Sequence, residues 1–512
     1  MTSLEKIKLA IRPLIYAVLF LITAILRIRN FYQMPTYAQL NDTAGYLMNA
    51  AEPLFSLKFW AGIRPFTIPL FYKIFTNLNT ATVVQLAISL ICWGLLALCF
   101  ARITRTVWLK PVSFGIVLLF SLSTDIILWE RYILSDSLSI SLFALLTACL
   151  IWLTAEWHLT RAVLLGVVLF FFAFTRESNA WLVMMIALIC IGTGVIFKHN
   201  RRYLALGFIF LAIFYLSNLT TSIGKRWAAP FFNTFAERIL TDYNKLKFFE
   251  KNGMPITPEV LSLARQHGVN NNDVFFYAPE LQEFRDWYYA NAKSAYMRFL
   301  LDDFGRRIEE AVEGSPYMVA SYTQIYWPKG FSPILDGWLA QVVYQKDYPW
   351  LLIIYTTLLV GLTIPVMLYE KQSNWIVPVF LILLSYPHAF IIYHGDTNEL
   401  SRHAVIMGIQ YRLGGWLVIL AVLDYVLQCF AVPLHRIISN PKNAAWALTV
   451  LGLGLLLFPV ITDLVWGHKL VIGRTQLIGM IFGAFLLLCG LLIFYRKKQA
   501  GRKPPANNKQ EL

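Results

Sequence analysis

Apolar runs of membrane-crossing length recur from one end of the chain to the other, each closed off by a short polar or basic connection. They lie near positions 12–28, 81–101, 111–129, 137–155, 162–175, 180–197, 203–219, 349–369, 375–392, 404–427, 444–462 and 476–495. As an α-helix, a run of about 20 apolar residues crosses a hydrocarbon core of about 30 Å. The runs are continuous rather than alternating, which excludes a membrane β-barrel. The pattern predicts an all-α polytopic membrane protein of about twelve transmembrane helices. The run at 162–175 is short for a crossing and reads as tilted or partly re-entrant. Nothing repeats at a fixed period, which counts against solenoids and weakly against inverted-repeat transporters.

Between positions 220 and 348 the pattern changes to a polar, aromatic-rich insert, amphipathic and helical over 280–312. Four parts follow. They are an N-terminal transmembrane module (1–219) with a long first loop (29–80), a mostly helical insert (220–348), a C-terminal transmembrane module (349–495), and a disordered tail (496–512).

Charge gives these parts a side. The chain of 512 residues is 58% hydrophobic and only 14% charged, against roughly 25% in soluble domains. Its net charge of +15 gathers in short connections and tails: Lys6, Lys8 and Arg12; Arg102, Arg105 and Lys110; Lys198, Arg201 and Arg202; Arg436 and Lys442; Arg496 to Lys503. That distribution is the positive-inside signature and argues for contact with anionic membrane lipids, not nucleic acid. It puts both termini in the cytoplasm of a multi-pass protein of the cell (cytoplasmic or inner) membrane. The loop 29–80, the turn 129–137, the insert, and the stretch 393–403 then fall on the outer side. The first run lacks a small-residue cleavage site and reads as a retained span. The six cysteines all lie in apolar runs and read as small buried hydrophobes, with no disulfide or metal framework.

Candidate chemistry sits on that outer side. Asp42, in Asn41-Asp42-Thr43-Ala44-Gly45-Tyr46-Leu47, is a carboxylate close to hydrocarbon, where ionisable groups are costly and tend to be functional. Tyr37, Asn41, Tyr46 and Glu52 surround it in sequence, and Arg64 follows before Pro65 and Pro69. A carboxylate accepts a proton from an attacking hydroxyl, and an arginine grips a phosphate bidentately. The plainer role for Asp42 is to cap a helix over Thr43–Ala50. Asp136, in Ser135-Asp136-Ser137, either caps the fourth span or faces the cavity of Asp42. Arg176 either meets Glu177 and headgroups or touches the phosphate of a lipid-linked substrate, and Glu130 and Arg131 read as an interfacial pair. If 396–410 is helical, Asp396, Glu399, Arg402 and His403 share a sector of roughly 120°, with Gln410 two turns deeper. A self-neutralising patch built on a Glu399–Arg402 pair is the competing reading. The aromatics of the insert (Trp287, Tyr288, Tyr289, Tyr296, Tyr322, Tyr326, Trp327, Trp338, Tyr344, Tyr348 and, at its edge, Trp350) suit an interfacial belt or sugar stacking. Neither a G-x-x-x-x-G-K-[ST] nor a G-x-G-x-x-G motif is present.

In their order and common sidedness these pieces resemble the polytopic C-type glycosyltransferases, the superfamily of the protein O-mannosyltransferases and the lipid A aminoarabinose transferase. The matching stretches are Asn41-Asp42 to Tyr46-Leu47, Arg64-Pro65 to Pro69-Leu70-Phe71-Tyr72, Ser135-Asp136-Ser137-Leu138, Thr175-Arg176, and Gly395-Asp396 through Glu399 to Arg402-His403. The resemblance implies inverting transfer of a hexosyl or pentosyl group from a polyprenyl-phosphate carrier to a glycan, lipid or protein acceptor at the outer face. It implies Asp42 as the catalytic base, with Tyr46, Arg64, Asp136, Arg176, Asp396, Glu399, Arg402 and His403 binding substrate. The first-loop motif has Asn-Asp where family members carry a doubled acidic pair, so a divalent cation is left open. The insert lies between spans and not at the C-terminus, so acceptor recognition does not carry over. A lipid-linked glycan polymerase or ligase with a pyrophosphate-linked donor competes with this reading, as does, more distantly, a lipid or polysaccharide transporter.

Overall fold

The structure, a computed structural model, describes residues 3–196, 201–266, 274–319, 331–335 and 376–431, plus a few single positions. All regular secondary structure in them is helical, apart from one isolated parallel bridge between Ala38 and Tyr132. Among the described residues, seven helices are long and apolar enough to cross a membrane. They belong to α1 (Ser3–Phe31), α5 (Leu78–Ile103), α8 (Asp136–Ala155), α10 (Glu177–Ile196), α11 (Arg201–Ile223), α19 (Ile376–Gly395) and α21 (Val405–Ala431). The chain is thus a membrane-embedded helical protein. The expected runs at 444–462 and 476–495 and the tail lie outside the described residues, as does 349–369 apart from single positions.

Two expected spans take another form. The run at 111–129 is broken into α6 (Leu109–Phe120) and α7 (Thr124–Ile127, continued by a 3-10 turn to Arg131), with a bend of 61° between the pieces. The break falls on Ser121–Ser123, where Ser121 Oγ donates to the Leu118 carbonyl at 2.6 Å. A serine hydroxyl that competes for helix carbonyls bends or ends the helix. The run at 162–175 becomes α9 (Leu159–Ala173), whose 15 residues reach only about 22 Å.

Within the bundle α8 and α21 are the most enclosed, and α1 lies at the rim with few of its side chains buried over Arg12–Phe31. α8 carries serines and threonines inward, of which Ser141 donates to the Ser137 carbonyl and Thr147 to the Phe143 carbonyl of the same helix, while Ser139 accepts from Asn179 of α10. The loop 29–80 is folded, not open: α2 (Asn41–Ala51), α3 (Leu57–Trp60) and α4 (Thr67–Ile74) pack over the start of α5.

The stretch Leu128–Leu134 runs inside the bundle, where irregular backbone must find internal partners. It does so through side chains of other elements. Gln85 donates to the Glu130 and Tyr132 carbonyls, Tyr72 to Leu134 and Thr43 to Ile133. Glu130 is not paired with Arg131: it pairs with Arg27 of α1, while Arg131 stacks on Phe31 at 3.9 Å.

The insert forms short helices: α12 (Ala228–Thr234), α13 (Tyr243–Lys251), α14 (Pro258–Ser262), α15 (Gln282–Trp287), α16 (Lys293–Asp302), α17 (Phe304–Glu313) and α18 (Ser315–Val319), with π-helical stretches at Phe235–Ile239 and Tyr288–Ala292. The helicity expected over 280–312 is there, interrupted at Asp303. Trp287, Tyr288 and Tyr296 do not form a surface belt or a sugar platform. They are buried with Phe231, Phe235 and Phe249 in a separate aromatic core. The remaining aromatics, from Tyr322 to Trp350, lie outside the described residues.

Candidate active site

Six ionisable side chains from four parts of the chain meet at one end of the bundle, with Arg402 at the centre. Its buried guanidinium lies 2.9 Å from Asp42 Oδ2, 3.3 Å from Asp136 Oδ2 and 2.7 Å from Glu399 Oε2. The other oxygen of Asp42 accepts from Arg64 at 2.7 Å, and that of Asp136 from Arg176 at 3.1 Å. Three guanidiniums therefore face three carboxylates. Asp136 is wholly buried, whereas the Asp42 and Arg64 side chains keep 30% and 32% of their surface. The Asp42–Arg64 pair is the open edge of the network, and Asp136 is its internal brace.

Local structure explains why these groups point inward. α2 begins at Asn41, and Thr43, not Asp42, secures its start by accepting from the Leu40 N–H and donating to the Ile133 carbonyl, both at 3.0 Å. Asp42 is thus free of the capping role and turns to the arginines. Gly45 sits under Arg64: a Cβ there would come within 2.8 Å of Arg64 Nε, so only glycine lets the arginine lie across the helix. The guanidinium also rests 5.0 Å from the centre of the buried Tyr46 ring, a cation–π contact. α8 opens on Asp136, whose carboxylate goes to Arg176 and Arg402 rather than to its own helix end. Arg176 does not pair with its neighbour Glu177, which binds Arg226 at 2.8 Å. Arg226 in turn donates to the Gly62 carbonyl at 3.1 Å and ties the first loop to the end of α11.

The stretch 396–410 is not one helix. Residues 396–399 are irregular, Glu399 has a left-handed backbone (φ 49°, ψ 39°), and only then come α20 (Leu400–His403) and α21. That turn, and not a 100° helical step, brings Glu399 back onto Arg402. The expected Glu399–Arg402 pair is present, but Arg402 also reaches the two aspartates. Asp396 is absent from that network. It faces the insert, 3.3 Å from Asn233 Nδ2, accepts from the Asn398 N–H at 2.9 Å, and lies 3.4 Å from His403 Nε2. Gln410 binds His388 and the Leu381 carbonyl between α19 and α21, away from the site.

Asp42 and Asp396 have opposite electrostatics. Burial disfavours ionisation of Asp42, but Arg64 and Arg402 outweigh it and hold the carboxyl well below the usual range. Burial pushes Asp396 up to about 7, against the hydrogen bonds from Asn398 and Asn233. Burial, with Arg176 and Arg402 beside it, keeps the His403 imidazole neutral. Chemically, the arginine cluster is a set of fork-shaped donors suited to one more anion, and its carboxylates are what that anion would displace. Among the described residues no group of three or more His, Cys, Asp or Glu side chains is arranged to hold a metal ion.

Sequence reasoning missed Thr43, Tyr72, Gln85, Arg27 and Asn233. Gln85 and Arg27 had a visible signal, as strongly polar residues inside apolar runs; Asn233 had none. Comparison with protein-family models and with curated protein sequences gave no match.

Proposed function

We propose that this protein transfers a glycosyl group from a polyprenyl-phosphate carrier to a glycan, lipid or protein acceptor at the outer face of the cell membrane, within a bundle of about twelve helices whose termini are cytoplasmic. The observation that carries the reading is the arginine pair on Asp42: Arg64 and Arg402, 2.7 and 2.9 Å from one half-exposed carboxylate at the end of an apolar bundle. A polyprenyl phosphate brings a greasy tail and an anion, and this place offers apolar helices and guanidiniums together.

The donor phosphate takes over Arg64 and Arg402 from Asp42. Freed of those charges, Asp42 regains ordinary carboxylate basicity and accepts the acceptor's proton. The acceptor atom bonds to the anomeric carbon while the carbon–phosphate-oxygen bond breaks. The electron pair leaves on the phosphate, where the guanidiniums hold the added charge. Asp136 acts behind them, fixing Arg176 and Arg402, and the Tyr46 ring supports Arg64. The same arginines would also suit the pyrophosphate-linked donor of a glycan polymerase or ligase, so the test uses both donor types. Purified protein is incubated with polyprenyl-phosphate and polyprenyl-pyrophosphate sugars, with and without a chelator. Release of polyprenyl phosphate from the first class supports the reading; release of polyprenyl pyrophosphate from the second class alone replaces it with the polymerase or ligase, and release of neither overturns it.

A further inference from the structure

Beside the arginine network lies a polar cluster of opposite character that the transfer chemistry above does not use. Asp396, with 13% of its side chain exposed, has no guanidinium or ammonium within ion-pair distance among the described residues; its charged-type contact is the neutral His403. Asn233, from α12 of the insert, is 6% exposed and presents its amide to Asp396, yet its Oδ1 has no hydrogen-bond partner. Thr397 Oγ1, one residue along, is shielded and equally unpartnered. A buried acceptor left unsatisfied costs about 1–3 kcal/mol. Such groups in native structures call for an explanation. Here, among the described residues, Asp396 takes hydrogen bonds from Asn233 and Asn398 but no ion pair from an arginine or lysine, and the nearby Asn233 Oδ1 and the Oγ1 of the adjoining Thr397 have no partner.

The insert holds this stretch in place. It grips the chain just before Asp396 through Tyr296, which donates to the His394 carbonyl at 2.8 Å, and through the Arg307 carbonyl, 3.0 Å from His394 Nε2. Arg238 donates to the Tyr393 carbonyl and stacks on the Tyr393 ring, and its charge reaches Asp396 from beyond ion-pair distance.

We propose that Asn233, Asp396 and Thr397 form a binding site for a primary ammonium group. An ammonium carries three N–H donors and one positive charge, which matches two unpartnered acceptors beside a carboxylate that has no arginine or lysine ion pair. A neutral hydroxyl supplies one donor and no charge; an anion is repelled. The ammonium belongs to an amino-lipid headgroup or to an amino sugar. With the transfer reading above, on which this part rests, the pocket is the acceptor side of the same centre, one residue removed from Arg402 through His403.

The test measures ligand binding to full-length protein, independently of turnover. Nanodiscs of phosphatidylethanolamine are compared with phosphatidylcholine by counting bound lipid in native mass spectrometry, and glucosamine is compared with glucose by calorimetry. Preference for phosphatidylethanolamine assigns the lipid source, and preference for glucosamine the sugar source. Asp396→Asn, which keeps the shape, should weaken the preferred amine roughly tenfold to a hundredfold. Asn233→Leu should weaken it less. Equal binding of amine and amine-free probes by the wild-type protein overturns the inference, as does full amine affinity in folded Asp396→Asn. Binding of polyprenyl phosphate is measured on the same samples: its loss alone sinks the transfer reading and leaves the ammonium pocket standing.

Discussion

Arg402 touches three carboxylates, and its removal takes a buried cation from wholly buried Asp136 and from Asp42 and Glu399, which keep 30% and 34% of their surface. Breaking a buried pair by deleting one partner usually costs about 3–5 kcal/mol. Arg402→Ala should therefore lower unfolding stability by about 3 kcal/mol or more. Arg402→Lys should recover part of that but not the donor affinity, because an ammonium cannot bridge three oxygens in a plane. Unchanged thermal stability of Arg402→Ala would contradict the network. Asp396 gives a pH signature of the opposite kind. Its folded value is raised from 3.8 to about 7, so the folded chain binds more protons than the unfolded chain across that window, and stability falls as pH rises through it. Asp396→Asn should thus be more stable than the parent at pH 8 and lose that advantage near pH 4, read by melting temperature. At this scale the sequence exposed the participants but not their partners. Asp42, Asp136, Arg176 and Arg402 were visible as charges beside apolar runs, whereas the nearest charge in sequence was the wrong partner for Arg131 and for Arg176.

Among the elements, α2 shows how a helix is bent to the needs of the site. Gly45 occupies a helix interior where alanine would be favoured by about 0.5–1 kcal/mol. It is kept there, in physical terms, by Arg64 lying over it. Gly45→Ala should leave the fold intact or slightly firmer while displacing Arg64 from Asp42, and so weaken polyprenyl-phosphate binding severalfold. Parent-like affinity in that variant would detach Arg64 from donor binding. The stretch 396–403 teaches the converse lesson. A helical wheel collects Asp396, Glu399, Arg402 and His403 on one face, but the left-handed turn at Glu399 splits them: Glu399 and Arg402 join the network, Asp396 turns to the insert, and His403 lies between the two. A non-glycine residue in that conformation leaves no mark in the hydrophobic pattern. The kink at Ser121–Ser123 was equally silent, since serines inside an apolar run are ordinary.

For the whole molecule, the spans were the most legible feature, because apolar length alone dictates them and the expected runs among the described residues all became helices. Long-range closure was not legible: nothing in composition says that α12 of the insert meets residue 396, or that Arg402 meets residues 42 and 136. Orientation rests on the basic connections and has its own check. In a cysteine-free background, Tyr277→Cys, at an exposed position of the insert, should react with an impermeant thiol reagent in intact cells, and His158→Cys, between α8 and α9, should not. The reverse labelling would turn the site to the cytoplasm. The central claim, that Asp42 is both the carboxylate displaced by the donor and the group that then takes the acceptor's proton, is tested most directly by Asp42→Asn. The amide keeps the size but gives up the charge and the basicity. Sugar transfer from polyprenyl phosphate, measured with donor affinity on the same preparation, should fall by roughly 10²–10⁴ while the donor still binds. Transfer at the parent rate would contradict it.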